Sequence, residues 1–220
     1  MAITTYAELK TAIANWLERS DLTSRIPEFI SLAQSRMYHG AMAVDGRTQV
    51  IPPLRIRDMI ATADITVTDG VGALPSGWLE FKRLWINDTD QPNLSYYPPQ
   101  TFFDWAQSHT AASGEPVIGY TTEGSVLRIA PPNTETLKSV HYAKFTAMSA
   151  DGDADWVLTN APHVYLDGAL AEAYGGYIRD AEAAAHHEAR FSAAVRGLNA
   201  QYSDAQRAGS ALRMRPRAIV

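Results

Sequence analysis

The sequence predicts an α+β protein in which a helical bundle from N- and C-terminal helices carries an inserted small antiparallel β-rich region. Apolar residues recur at helical spacing near both ends of the chain. Between them, Gly and Pro turn signals separate short runs of β-branched and aromatic residues. We therefore expect residues 1–44 and 150–208 to form the bundle, residues 45–149 the insert and residues 209–220 an extended C-terminal tail.

Local signals at helix ends predict an N-terminal helical hairpin. Thr5 and Glu8 have the spacing of a capping box, so a helix is expected to begin there. Pro27 lies in the first turn of a second helix, where its missing N–H is tolerated, and Gly40 is expected to end that helix. The apolar stripes are Tyr6, Leu9, Ile13, Trp16 and Leu17 in the first helix and Ile26, Ile30, Ala33 and Met37 in the second.

The predicted insert contains short strands and one short helix. A hairpin tip is expected at residues 122–125, followed by a strand from Val126 to Ile129. Another strand is expected from Leu137 to Phe145, and the helix begins near Pro99. We interpret this region as an antiparallel sheet.

The last third of the sequence predicts two further helices. Asn160 is expected to cap the first of them, with Pro162 in its first turn. Asp180 is expected to cap a long, alanine-rich final helix. Small residues on such a helix allow close approach of another helix, within the chain or between subunits.

The composition and the net charge of the chain disfavour several classes of function. The 220 residues are 46% hydrophobic and 20% charged, as in ordinary globular proteins, and there is no cysteine for a disulfide or a thiolate metal site. No apolar run approaches the ~20 residues that span a bilayer, and we expect no signal peptide and no membrane association. The net charge of −5 disfavours a protein that coats nucleic acid, although the chain after Asp204 is basic.

No metal site is predicted. The cluster Asp151, Asp153 and Asp155 lacks the Gly and Glu that an EF-hand loop requires, and a solvated loop explains it. His187 is followed by Glu188, but the second histidine of the H-E-x-x-H motif is absent. His163 and Asp167 are four residues apart on a helix, and two ligands do not make a catalytic metal site.

No enzymatic activity and no cofactor are predicted either. The sequence has no G-x-S-x-G elbow, no phosphate-binding loop and no G-x-G-x-x-G fingerprint. Ser, His and Asp residues are present, but no spacing singles out a catalytic triad.

Five aromatic residues within ten positions leave three interpretations open. They can form the core beneath the short helix, a subunit contact, or a platform on which bases or sugars stack. The last interpretation gives an alternative function, a non-enzymatic carbohydrate- or peptide-binding module, whereas the absence of Lys and Arg from 95 to 117 argues against nucleic acid. The five residues are Tyr96, Tyr97, Phe102, Phe103 and Trp105.

An ordered series of short segments runs through nearly the whole chain. They are T-Y-A-E-L-K at 5–10, N-W-L with R-S-D-L at 15–22, I-P-E-F-I with L-A-Q-S-R at 26–36, L-P-S-G-W-L-E at 74–80, L-R-I-A-P-P at 127–132, Y-A-K at 142–144, W-x-L-T at 156–159 and P-x-x-Y-L-x-G-A-L at 162–170. In order and rough spacing, this set resembles the head-to-tail adaptor, or connector, proteins of short-tailed bacteriophages. Residues 43–64 depart from the pattern because that stretch is longer.

The resemblance implies a virion structural protein that is assembled in the host cytoplasm. Such adaptors form a ring, usually of twelve copies, between the portal protein and the next tail or nozzle component. Viral DNA passes through the ring without specific binding. The C-terminal segment of such an adaptor reaches up to the portal.

Two sets of candidate residues follow from the resemblance and the charge distribution. A basic tail is suited to ordering on a partner, and an acidic channel wall repels DNA phosphates. The portal-binding tail candidates are Arg207, Leu212, Arg213, Met214, Arg215, Pro216 and Arg217. The lumen candidates are Asp167, Glu172, Asp180, Glu182 and Glu188.

Overall fold

The computed structural model describes residues 2–42, 49–86, 93–108, 117 and 119–208. The chain divides into two compact units. A helical unit comprises Met1–Asp58 and Thr146–Val220, and a sheet unit comprises Met59–Phe145.

Six α-helices and nine strands are present in the described part of the chain. The helices are α1 (Tyr6–Leu17), α2 (Ile26–His39), α3 (Pro99–Ser108), α4 (Trp156–Asn160), α5 (Pro162–Glu172) and α6 (Ala181–Ala208). The strands are β1 (Ala41–Met42), β2 (Gln49–Ile51), β3 (Ile60–Thr68), β4 (Val71–Ala73), β5 (Trp78–Ile86), β6 (Ser95–Tyr96), β7 (Gly119–Glu123), β8 (Val126–Ala130) and β9 (Glu135–Ala143). Short 3₁₀ helices span Ser20–Arg25 and Arg57–Met59, and a π-helical turn spans Ala173–Ile178.

The signals at the ends of α1 and α2 are confirmed. The Thr5 hydroxyl accepts a hydrogen bond from the Glu8 amide (3.3 Å), and the Glu8 carboxylate accepts one from the Thr5 amide (3.1 Å). Pro27 lies in the first turn of α2, and Gly40 ends the helix with φ of 75°. A Cβ at Gly40 would lie 2.7 Å from the Ile51 carbonyl oxygen, so only glycine fits this close approach.

The C-terminal helices begin at different residues from those expected. Asn160 is not a cap, because it ends the short helix α4, whose N-cap is Asp155. Helix α5 then begins at Pro162 without a side-chain cap. The prediction for Asp180 is confirmed: its Oδ1 accepts hydrogen bonds from the amides of Glu182 (3.1 Å) and Ala183 (3.0 Å).

Helix α5 is the central helix of the helical unit. All residues from Val164 to Ala171 are buried, and α1, α2, α4 and α6 pack around it. Gly168 permits a close approach, since a Cβ there would lie 2.9 Å from Ala33 Cβ and 3.2 Å from the Phe191 ring. A helix that is buried on all sides shows no single apolar stripe, and its position follows from these contacts.

Seven strands of the sheet unit form one sheet in the order β5-β9-β3-β4-β8-β7-β6. The pairings are antiparallel except that of β6 with β7, which is parallel. The predicted β7–β8 hairpin is confirmed, and its turn contains Gly124 with φ of 58°. The apolar core of this unit consists of Ile65, Val67, Leu84, Ile86, Leu94, Val117, Leu127, Ile129 and Leu137.

The prediction of a small antiparallel region inserted in a helical bundle is wrong, because this sheet is large and mixed. Strands β3, β5 and β9 each contain nine residues. Pairing irregularities between Trp78 and Glu80 and between Phe81 and Arg83 break the alternation of apolar and polar residues along β5. Its sequence therefore resembles two or more short strands instead of one long strand. The parallel pair was not predicted because β6 has only two residues. Helix α3 also separates β6 from β7 in the chain, so no hairpin turn marks the pair.

Candidate functional site

The predicted portal-binding tail lies almost entirely outside the described residues. Residues 209–220, which contain Leu212, Arg213, Met214, Arg215, Pro216 and Arg217, are not described. Arg207 belongs to the last turn of α6, and its side chain is also outside the described part. The role of this segment therefore stays a prediction.

Asp167, one of the five lumen candidates, is buried inside the helical unit. It is 1% exposed and lies in the middle of α5. Its Oδ1 is 2.9 Å from His187 Nδ1, and its Oδ2 accepts a hydrogen bond from Arg190 Nε at 3.2 Å. His163, which the sequence placed beside Asp167, is exposed. Asp167 thus joins α5 to α6 and does not present its carboxylate to solvent.

Two further lumen candidates, Glu172 and Glu188, share one arginine. Arg36 of α2 donates a hydrogen bond to each carboxylate through a different guanidinium nitrogen. The three side chains are partly buried, so the pairs are screened less than fully exposed ones. Arg36 therefore links α2 to α5 and α6 and offsets part of this negative charge.

Asp180 and Glu182, the other two candidates, are exposed at the start of α6. With Tyr174, His186 and His187 they line a shallow depression of about 360 Å³. Asp180 holds the helix N-terminus through its capping bonds, where a negative charge is favourable. These two carboxylates are the lumen candidates that face solvent most openly.

The acidic loop at residues 151–155 is held by local hydrogen bonds. Asp153 accepts hydrogen bonds from the backbone amides of Ser149 and Ala150, both at 2.7 Å, and these lower its pKa. Asp155 departs from the predicted solvated loop, because it is 8% exposed and accepts hydrogen bonds from Tyr165 and the Leu158 amide. Burial raises the pKa of Asp155. Within the described ranges, no group of three or more His, Cys, Asp or Glu side chains is arranged to hold a metal ion.

The five clustered aromatic residues divide between core and surface. Phe102 is 3% exposed and belongs to the core, as the simplest interpretation predicted. Tyr97 and Trp105 stack with centroids 4.7 Å apart and lie against Gly119 of β7. Tyr96 and Phe103 are 53% and 42% exposed. One part of the cluster therefore remains available for contacts with other molecules.

Sequence reasoning missed the residues that pair with the candidate carboxylates. His187 and Arg190 are three apart on α6, so they share one helix face and reach the same aspartate. That spacing is a signal for a shared partner, but nothing local identifies the partner as Asp167. The role of Arg36 depends equally on helices distant in sequence.

Comparison with protein families settles the class of the protein. Residues 4–216 match the family model described as SU10 adaptor protein. The chain belongs to the SU10 adaptor protein family. The resemblance to phage head-to-tail adaptors is thereby confirmed. A comparison with curated proteins found no match.

Family membership makes this adaptor a bacteriophage structural protein and a component of the virion. Proteins of this class associate with other components of the phage head and tail, and they are generally non-enzymatic. No helix in the described part of the chain is long and apolar enough to cross a membrane.

Proposed function

We propose that this adaptor forms a ring of about twelve copies between the portal protein and the next tail or nozzle component. The observation that supports the proposal is the family match over residues 4–216, which covers nearly the whole chain. In such a ring the contacts are heterologous, because one face of each subunit meets a different face of the next. The ring is assembled in the host cytoplasm and encloses the channel through which the genome passes.

The acidic character of the protein supports a channel that does not bind DNA. The four lumen residues of the proposal are Glu172, Asp180, Glu182 and Glu188, and buried Asp167 is left out. Like charges on the wall and on DNA phosphates prevent adhesion, so the genome passes without specific binding. Asp180 and Glu182 supply most of the repulsion in this proposal, since Arg36 neutralises part of the other pair.

The C-terminal tail of the proposal attaches the ring to the portal. In this organisation the helical unit and the sheet unit form the body of each subunit, and residues 209–220 form the tail. The tail carries Arg213, Arg215 and Arg217 and no acidic residue, so it is complementary to portal carboxylates.

Imaging of an assembled neck tests the ring. The full-length adaptor is mixed with the purified portal of the same phage, and the complex is imaged by electron cryomicroscopy beside portal alone. We expect extra density on the tail-facing side of the portal, arranged as a closed ring with an open channel. A complex with isolated adaptor copies, or with a plugged channel, would contradict the proposal.

A further inference from the structure

A groove of about 580 Å³ lies between helix α3 and the turn that joins β3 to β4. Its wall, which we call the α3 groove, contains Asp69, Val71, Phe103, Gln107, Ile129 and Pro132. Val71 and Phe103 are 40% and 42% exposed, although both side chains are large and apolar. Two exposed apolar side chains that line one concave site indicate a surface to which another molecule binds.

Backbone hydrogen bonds hold the wall of the α3 groove in place. The Gly70 amide donates to the Asn133 carbonyl at 2.9 Å, and the Gly70 carbonyl accepts from the Ile129 amide at 3.0 Å. A Cβ at Gly70 would lie 2.8 Å from Pro132 Cβ, so the turn packs closely against the segment after β8. The groove is therefore formed before a ligand arrives, which lowers the entropy cost of binding.

The charged groups of the α3 groove favour a basic ligand. The Asp69 amide donates to Thr134 Oγ1 (3.2 Å), but the Asp69 carboxylate has no partner among the described residues. Arg128 also lines the groove, and its Nε donates to the Glu123 carboxylate at 2.8 Å, so the two charges offset each other. Residues 59–145 contain nine acidic and five basic residues. A positively charged segment is therefore attracted to this surface.

The C-terminal tail of the adaptor has the matching chemistry. From residue 212 to residue 218, apolar residues alternate with arginines. Pro216 disfavours a helix here, and the residue before a proline favours extended backbone. In an extended segment, successive side chains point to opposite sides. One side then carries Leu212, Met214, Pro216 and Ala218, and the other side carries Arg213, Arg215 and Arg217.

We infer that the α3 groove of one adaptor copy binds the apolar side of the C-terminal tail of a second copy. Leu212 and Met214 fill the groove beside Val71 and Phe103, and the Gln107 amide pairs with the backbone of the tail. The arginine side remains open toward the portal, except that one long arginine side chain bends to the Asp69 carboxylate at the rim.

A second copy supplies the tail because the groove and the tail are different surfaces of one chain. Such a contact is heterologous, and its repetition from copy to copy is what closes a ring. The contact rests on the proposed ring and identifies one surface that holds neighbouring copies together. It also gives a reason for the alternation in the tail, since one side serves the neighbouring copy and the other side serves the portal.

Peptide binding to the full-length protein tests the groove without the portal. The probe is a fluorescein-labelled peptide of residues 209–218. One matched peptide carries Leu212→Ser and Met214→Ser, and fluorescence anisotropy should show a Kd at least about tenfold higher, which corresponds to about 1.4 kcal/mol. A second peptide with glutamine at the three arginine positions should bind about three- to tenfold more weakly. Equal affinity of the serine peptide, or no binding of the probe, would overturn the inference.

Substitutions in the protein place the binding in the α3 groove. Val71→Ala and Phe103→Ala should each weaken binding of the probe about three- to tenfold, because each removes apolar contact surface. Tyr96→Ala removes a similarly exposed ring outside the groove and should leave the affinity unchanged. Circular dichroism checks that each variant is folded. Equal effects of Phe103→Ala and Tyr96→Ala would exclude the groove as the binding site.

A further substitution tests the rim carboxylate. Asp69→Asn should weaken binding of the probe about two- to threefold at low salt and less at high salt, as expected for one exposed ion pair. Asparagine tolerates the left-handed backbone of this position, where φ is 51°. The same salt dependence in wild type and Asp69→Asn would contradict the assigned role of the carboxylate.

Disulfide formation between two differently tagged proteins tests the source of the tail. The chain has no cysteine, so Met214→Cys in one protein and Val71→Cys in the other supply the only thiols. A disulfide requires Cα atoms within about 7 Å. Mixed rings on the portal should form the heterodimer. Met214→Cys paired with Asp64→Cys, at an exposed position outside the groove, should not.

Imaging of the same samples separates this contact from the proposed function. Rings that form without the disulfide would refute the contact between copies and leave the proposed ring intact. Peptide binding in the absence of any ring would refute the proposed ring, and with it the second copy as the source of the tail.

Discussion

Asp167 and His187 are joined by a hydrogen bond of 2.9 Å between Oδ1 and Nδ1, which links the centre of α5 to α6. Both residues are buried. Arg190 occupies the second carboxylate oxygen, and the His187 ring stacks on Tyr174 at an interplanar angle of 3°. A buried carboxylate is tolerated only with such partners, so this cluster is a structural link between the two helices.

Replacement of Asp167 by alanine should destabilise the protein. It leaves His187 and Arg190 without their shared acceptor, and we expect a loss of about 2–4 kcal/mol in the free energy of unfolding. Urea denaturation followed by circular dichroism measures this change. Asp204→Asn, an exposed change on α6, should stay within about 0.5 kcal/mol of wild type. Similar stability of the two variants would mean that the buried cluster contributes little.

Two glycines on helices should respond to alanine in opposite directions. At Gly168 the new methyl group would lie 2.9 Å from Ala33 Cβ, and we expect overpacking to cost about 1–3 kcal/mol. At Gly197 on α6 a Cβ meets nothing within 4 Å of the described structure, and alanine should stabilise the helix by about 0.5–1 kcal/mol. Thermal unfolding of both variants beside wild type measures the difference. A stabilised Gly168→Ala would show that α5 has room to shift.

His141 should make the stability of the sheet unit sensitive to acid. The Ser139 hydroxyl donates to the Ala63 carbonyl, so His141 Nδ1 donates to Ser139 Oγ at 3.1 Å. Burial lowers the pKa of His141 below its ordinary value of 6.5. As the pH falls, His141 therefore binds a proton in the unfolded chain at a higher pH than in the folded protein. The stabilisation by neutral His141 is complete above about pH 6.5 and is lost as the pH falls through the lowered pKa.

The His141→Gln variant checks this pH dependence. Its free energy of unfolding should fall less than that of the wild type between pH 7.5 and 5. The difference between the two proteins should be about 1.4 kcal/mol for each unit by which the pKa of His141 is lowered. His163→Gln, at an exposed position, is the matched control and should follow the wild-type curve. An unchanged slope in His141→Gln would contradict the assignment.

The parts of the fold that the sequence predicted depend on contacts within a few residues. The Thr5–Glu8 capping box and the Asp180 cap each join groups two or three positions apart, so composition and spacing suffice to find them. Asn160 shows the limit of this approach. It carries a good capping side chain, but the buried Asp155 caps α4 five residues earlier.

Long-range packing explains what sequence reasoning could not find. Asp167 looked like a surface acid on a helix, yet packing of helices around α5 buries it against a histidine 20 residues away. The same limit applies to the sheet, since the contact of Phe81 with Tyr120 depends on the curl of seven strands. No local pattern in either segment encodes that contact.

Reversal of charge at the proposed lumen should slow DNA passage. Glu182→Lys introduces a cation at an exposed site, and Asp180→Asn keeps a good capping residue while it removes a charge. Rings assembled on the portal with both changes should retain double-stranded DNA at low salt, whereas wild-type rings release it. Asp64→Asn with Asp104→Lys, at exposed positions of the sheet unit, is the matched charge control. Equal retention by all three rings would indicate that Asp180 and Glu182 lie away from the channel.

Deletion of residues 209–220 should leave the protein folded but abolish its attachment to the portal. The buried apolar residues of α6, Phe191 and Val195, lie well before the deletion, so the unfolding transition should be unchanged. Each exposed arginine pair contributes only about 0–1 kcal/mol, but many copies in one ring act together. Co-sedimentation of the truncated protein with purified portal measures attachment.

A pair of charge variants separates the arginines from the rest of the tail. Arg213, Arg215 and Arg217 changed together to glutamate should prevent co-sedimentation, because the tail then repels portal carboxylates. A variant with lysine at the same three positions keeps the positive charge. It should retain most of its attachment to the portal, with some loss because lysine cannot make bidentate contacts. Raised salt should weaken attachment of the lysine variant to the portal more than attachment of the wild-type protein. Normal docking of the truncated or the glutamate protein would show that the portal is held by another surface, and the tail would then have no part in attachment.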